Sequence, residues 1–217
     1  MRLQMLFSDP AGFFTDLLLI LPALLIAISF HEFAHAFAAN AMGDPSPRAM
    51  GRLTLDPFAH MDPIGLLMLT FLGFGYGKPV QVNPANFKNR FWGEIFVALA
   101  GVTMNLFLSV VFTIVYLLMV RFGVTSVILL TIISNIVQVN VVLMLFNLLP
   151  IPPLDGYRVV KRLFIGNVNP QFFWRLEQFG FVIVLILLAT GIFTPFLSRA
   201  VGSVITFLLN TFSFIIR

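Results

Sequence analysis

The run LLLILPALLIAISFHEFAHAFAANA, Leu17 to Ala41, decides the fold. A helix of that length, rising about 1.5 Å per residue, crosses a hydrocarbon core of about 30 Å. Within it stands His31-Glu32-Phe33-Ala34-His35, three ionisable side chains in an otherwise apolar stretch. Such groups are costly in a span, and where they occur they mark function. On a helix, positions i and i+4 stack on one face, so both imidazoles reach one metal ion. Glu32 sits beside them, placed to take a proton from a metal-activated water. Chance alone produces H-E-x-x-H on the order of once in a hundred chains of this length. His31 lies about 21 Å along the helix from Leu17, below the membrane surface and nearer the end that leads into the next loop.

Composition extends the membrane reading to the whole chain. Of 217 residues, 59% are hydrophobic and 10% charged, and the mean hydropathy is +0.99. A soluble domain carries about 25% charge. A soluble enzyme, a disordered chain and a nucleic-acid-binding domain are therefore excluded. The net charge of +4 comes from 13 basic residues spread along the chain, too thin for a nucleic-acid partner. The partner of these surfaces is the lipid bilayer. There is no cysteine, so disulfides, thiolate ligands and a cysteine nucleophile are ruled out. The first residues, MRLQMLFSDPAGFF, do not read as a removable signal peptide.

The expected fold is an all-α polytopic membrane protein, one integral-membrane domain over 1–217 with about five transmembrane helices. Span one is Leu17–Ala41, and spans two to five run about Glu94–Val120, Val124–Leu149, Phe179–Phe193 and Ala200–Ile216. Between spans one and two, Gly43 to Asn89 is dense in proline and glycine. GLLMLTFLGFGYG within it is apolar but glycine-broken, and reads as re-entrant or interfacial. KPVQVNP alternates, which suggests a short edge strand. Span three stops at Pro150, Pro152 and Pro153, and Gly156 to Glu177 is polar enough to lie along the surface.

Basic residues orient the chain. Arg48, Arg52, Lys78, Lys88 and Arg90 follow span one; Arg158, Lys161, Arg162 and Arg175 follow span three; Arg217 ends the chain. The other side receives Arg2, Arg121 and Arg199. This asymmetry puts the long loops in the cytoplasm, the N-terminus outside and the metal site nearer the cytoplasmic side of the cell membrane.

A catalytic metal site of this type uses three protein ligands and leaves a position open. Candidates for the third are Asp155, His60, Asp56, Asp62 and Glu94. Asp155 is favoured, because it follows the end of span three, on the same side as the end of span one. His60 reads first as a surface or capping histidine, and Asp56 and Asp62, each before a proline, as turn residues. Asn140 and Asn147 are two turns apart on one face of span three, with Asn135 further back and Asn105 in span two. Asn147, nearest the metal end, is a candidate to hold a substrate carbonyl or oxyanion. Asn105 and Asn140 read first as interhelical hydrogen-bonding residues and second as substrate-binding ones.

HEFAH in span one, AGVTMN at Ala100 to Asn105 and FNLLPIPPLDG at Phe146 to Gly156 resemble the site-2 protease family of intramembrane zinc metallopeptidases. GRLTLDPFAHMDPIG (Gly51–Gly65) and GKPVQVNP (Gly77–Pro84) are similar to segments of its compact bacterial and archaeal branch, which lacks PDZ and CBS domains. The resemblance covers about Ser29 to Lys161, leaving about 177–217 as accessory helices. It implies one Zn²⁺ per chain held by His31, His35 and Asp155, with Glu32 as the catalytic glutamate and Asn147 assisting catalysis. It also implies that the Pro79–Pro84 stretch, with Val80 and Val82, receives an unwound transmembrane segment of a substrate protein by strand addition. Val102 stands where that family usually has proline, and Asp56 where it usually has asparagine.

The implied activity is hydrolysis of peptide bonds in transmembrane segments of other proteins. A non-proteolytic metal-binding membrane protein is the alternative. A transporter would more often show internal repeats or paired half-helices, and none is visible. A pseudoenzyme would be expected to have lost Glu32 or a ligand, yet all four positions are present. The residues set no oligomeric state.

Overall fold

The computed structural model describes residues 6–72, 75, 77–166 and 168–216. Its helices are α1 (Pro10–Met42), α2 (Ser46–Ala49), α3 (Pro57–His60), α4 (Pro63–Leu72), α5 (Arg90–Arg121), α6 (Val127–Asn147), α7 (Asp155–Phe164), α8 (Pro170–Thr190) and α9 (Thr194–Phe212). Five of these, α1, α5, α6, α8 and α9 with the 3₁₀ turn that extends it, are long and apolar enough to cross a membrane. The protein is an all-α polytopic membrane protein.

Local chemistry sets the ends. Asp9 caps α1 by accepting from the Gly12 N–H at 3.0 Å. At the other end Gly43 adopts φ 110°, and the next N–H, Asp44, returns to Ala39 O at 2.9 Å. Left-handed backbone of that kind strains a residue with a Cβ, so the glycine ends the helix. Asn89 caps α5, and Asn169 with Pro170 starts α8. The sequence places span four at Phe179, but α8 begins nine residues earlier. A good cap and helix-forming residues carry it past the apolar window. The surface piece expected over Gly156–Glu177 is accordingly split into α7 and the first part of α8.

The interior inverts the pattern of a soluble protein. Ser29, His31, His35, Asn105, Ser109, Thr113 and Asn140 are buried, while Phe37, Phe96, Phe107, Phe122 and Phe207 face outward. In lipid, association relies on close backbone approach and polar contacts rather than on hiding apolar surface. Small residues make that approach possible between α1 and α6, where Ala23, Leu24 and Ala27 meet Ile136 and Val139. A second cluster joins α5, α6 and α9 through Val102, Val137, Val141, Met144, Val201 and Leu208. Thus α1, α5 and α6 form the centre, and α7 packs against α5.

Between α1 and α5 the chain leaves the C-terminal end of α1, reaches its N-terminal part, where Phe71 of α4 stacks on Phe13 with ring centroids 6.2 Å apart, and returns past Glu32 to Met42. The expected edge strand over KPVQVNP is extended and keeps its alternation, with Val80 buried, Val82 half-buried, and Gln81 and Asn83 exposed. It forms no ladder, however. Among the described residues the β-pairing here is a single antiparallel bridge, Met61 to Gly77, because side chains take the backbone N–H groups that a neighbouring strand would use. Asn83 N–H donates to Asp44 Oδ2 at 2.7 Å and Val80 N–H to Glu32 Oε2 at 3.1 Å. The re-entrant reading of Gly65–Gly77 falls partly on Gly73, Phe74 and Tyr76, outside the described residues, as do Arg2 and Arg217 of the charge count. Its first part is the helix α4.

Candidate metal centre

His31 and His35 lie on one face of α1, about 17 Å and 11 Å from its C-terminal end at 1.5 Å per residue. Their rings meet edge to face, with centroids 4.6 Å apart. Asp155, the first residue of α7, comes to them from the other end of the sequence. The His31 and His35 Nε2 atoms are 3.0 Å apart, and Asp155 Oδ2 is 3.2 Å from the first and 3.0 Å from the second. All three residues are buried.

The turn after α6 and the glycines packed against it deliver Asp155. The prolines after α6 prevent the helix from continuing, and the Pro152–Pro153 peptide is cis. A Cβ on Gly156 would lie 2.3 Å from Leu148 O, so only glycine lets α7 start so close to the end of α6. Gly180 of α8 meets Pro152 equally tightly, a Cβ there lying 2.5 Å from Pro152 O.

The residues present fit a metal ion. His35 Nδ1 faces the Val97 carbonyl at 2.7 Å, which can only accept, so its Nε2 carries the lone pair. Asp155 Oδ2 is buried with no hydrogen-bond donor among the described residues. Two imidazole nitrogens and a carboxylate oxygen are a zinc-type donor set, and in a tetrahedral site with bonds of 2.0–2.1 Å such atoms stand about 3.3 Å apart. Donor atoms 3.0–3.2 Å from one another, each turned to one point, have no better partner than a cation.

The other candidates for a third ligand are engaged elsewhere. His60 is fully buried and its Nε2 donates to Thr54 O at 2.7 Å. Asp56 accepts from Phe58 N–H and Asp62 from the Ile64 and Gly65 N–H groups. Glu94 pairs with Arg90 at 2.9 Å and lies 3.7 Å from Arg162.

Glu32, next to the histidines on α1, is half-buried. Asn147 ends α6, half-buried, its amide donating to Leu143 O at 3.0 Å. Asn105 and Asn140 are fully buried and bonded to each other at 2.8 Å, so they present no surface to a substrate and take the interhelical role read first. Val80 and Val82 turn inward, Val82 onto Ala39, Phe87 and Val97; the exposed residues of that stretch are Lys78, Pro79, Gln81 and Asn83.

Sequence reasoning did not single out Gly101. A Cβ there would lie 2.5 Å from His31 Cε1 and from His35 Nε2, so α5 passes the histidines as bare backbone. The signal was present in AGVTMN, where Gly101 and Asn105 are one helical turn apart.

Comparison with known proteins adds to this geometry. The chain is 36% identical over 172 residues to "Putative zinc metalloprotease YwhC" of Bacillus subtilis (strain 168), covering 77% of this chain and 78% of that protein. It is 30% identical over 191 residues to "Putative zinc metalloprotease Rip2" of Mycolicibacterium smegmatis, covering 83% and 70%. With Rip2 of Mycobacterium tuberculosis (strain H37Rv) the identity is 29% over 186 residues, covering 82% and 70%. No family model matches the chain, and no solved structure matches it.

Proposed function

The chain belongs to the site-2 protease family, and on that premise we propose that it is a zinc endopeptidase that cuts transmembrane segments of other membrane proteins within or near the bilayer. The observation that carries this reading is that His31 and His35, on a helix long and apolar enough to cross a membrane, bring their ligand atoms to within 3.2 Å of Asp155, with Glu32 next to His31 in the chain. His31, His35 and Asp155 would hold the zinc ion, which would supply Lewis acidity for hydrolysis when bound.

The chain's own residues do the rest. Glu32 takes the proton from the attacking water on a carboxylate oxygen and passes it to the departing amine, which restores the carboxylate. Asn147, at the end of α6, keeps its side-chain oxygen and one amide hydrogen for the substrate. The Pro79–Pro84 stretch receives an unwound peptide as a strand, through main-chain groups other than the Val80 and Asn83 N–H groups that Glu32 and Asp44 hold. Unwinding is required because a helix keeps its carbonyls in hydrogen bonds four residues along, so substrates carry helix-weakening residues near the cut. By the distribution of basic residues, the N-terminus lies outside the cell and the site faces the cytoplasmic half of the membrane.

The test uses wild type and Glu32→Gln purified in detergent, measuring bound zinc and cleavage of a panel of single-span substrates. Zinc near one per chain in both, with cleavage by wild type alone, supports the reading. Zinc in both with no difference on any substrate favours a non-proteolytic metal protein. No zinc in either removes the metal site.

A further inference from the structure

On the Nδ1 side of His31, a short file of amides joins α6, α5 and α1. Asn140 Nδ2 is 2.8 Å from the Ile136 carbonyl, a group that can only accept, so the Asn140 N–H points there and its oxygen points to α5. Asn105 must then donate to Asn140 Oδ1, at 2.8 Å. Its nitrogen also faces the carbonyl of Ala27 at 3.2 Å, again only an acceptor. The atom left over, Asn105 Oδ1, lies 2.6 Å from His31 Nδ1, which must therefore carry the hydrogen. A neutral imidazole protonated at Nδ1 has its lone pair on Nε2, and His31 Nε2 is the atom beside His35 Nε2 and Asp155 Oδ2.

We propose that Asn105, held by Asn140 and the Ala27 carbonyl, is a positioning residue that fixes the tautomer and ring direction of His31 for metal binding. The inference rests on reading His31, His35 and Asp155 as a metal centre. Full burial of both asparagines keeps water and substrate from competing for these bonds. The two histidines differ in what sets them. His35 is fixed by a main-chain carbonyl, Val97 O, which no substitution removes. His31 depends on a side chain from another helix, so one substitution in α5 acts on one ligand. The polarity of the file is set at its far ends by Ile136 O and Ala27 O, which cannot reverse. Metal ligands oriented in this way lose about 10–100-fold in affinity when the outer partner is removed.

Zinc affinity, by chelator competition on detergent-purified protein, tests this without any substrate. Asn105→Leu, close in size but without the acceptor, should bind zinc 10–100-fold more weakly than wild type. Asn105→Asp, which keeps an oxygen opposite His31 Nδ1, should bind more tightly than Asn105→Leu. Asn135→Leu is the control, since it removes an interhelical bond to Leu19 O away from the metal; its zinc affinity should match wild type. A purely structural Asn105 would make Asn105→Leu behave like Asn135→Leu, with zinc affinity within twofold of wild type, and that result overturns the proposal. If Asn105→Leu does not fold, ¹⁵N-histidine spectra of zinc-loaded wild type decide: hydrogen on His31 Nδ1 supports it, hydrogen on Nε2 overturns it. If wild type binds no zinc, the metal-centre reading fails first and takes this inference with it.

Discussion

The backbone N–H of Val80 donates to Glu32 Oε2 at 3.1 Å, across 48 positions of sequence. The extended stretch after α4 is thereby tied to the glutamate that follows the first histidine. Gly77 belongs to the same contact, because a Cβ on it would lie 3.0 Å from Ile28 Cγ2 and from His60 O.

That bond orients Glu32, and a hydrogen bond to a charged group is worth about 1.5–3 kcal/mol. Val80→Pro, which removes the N–H, should lower the cleavage rate about 10–100-fold and leave bound zinc unchanged. Val80→Ala, which keeps the donor, should cleave within a few-fold of wild type. Equal loss in both variants would show that the side chain matters and the N–H does not.

Gly101→Ala puts a methyl group where the two histidines stand, and overpacking of this kind costs about 1–3 kcal/mol. Zinc content of the purified variant should fall well below one per chain. Gly202→Ala, where a Cβ meets nothing within 4 Å, should retain wild-type zinc. Full occupancy in Gly101→Ala would mean that α5 can move away from α1 at little cost.

Zinc binds the folded site and should stabilise it by mass action, about 2.7 kcal/mol at a free concentration of 100 Kd. Removing the metal with a chelator should lower the unfolding midpoint, and returning zinc should restore it. His35→Ala should unfold at the same temperature with and without zinc. A zinc-dependent shift that survives in His35→Ala would place the ion elsewhere.

Asp44, between α1 and α2, predicts a response to acid. Burial alone would raise its pKa, but donors from Ser46, Asn83 and Asn86 more than offset this and hold it below its ordinary 3.8. The unfolded chain then binds the proton more readily, so the contribution to stability is complete above 3.8 and fades as pH falls through the lower folded value. Asp44→Asn should melt at a lower temperature than wild type at pH 6, with the difference narrowing below pH 4. Parallel melting curves from pH 6 to pH 3 would show that Asp44 does not carry the effect.

What the sequence determined by itself is what depends on neighbours along the chain. Apolar run length alone marks five spans, since lipid demands about 20 apolar residues wherever a helix crosses. The i, i+4 spacing puts His31 and His35 on one face of α1 before any packing is known. Capping chemistry moved the start of span four, because helices extend as far as their caps and hydrogen bonds allow, not merely as far as their apolar residues. The sequence favoured Asp155 by its place after span three and by the family resemblance, and only the tertiary structure brought that carboxylate to the histidines. Asp155, Asp56, Asp62 and Glu94 are alike in chemistry, and only the folding of α7 against α5 brings one of them within 3.2 Å of His31 Nε2. Packing also gave Asn105 an interior partner and made Gly101 a requirement. A side chain far along the chain acquires its neighbour only when helices meet, because apolar surroundings offer a buried polar atom such as Asn105 Oδ1 no water to bond instead.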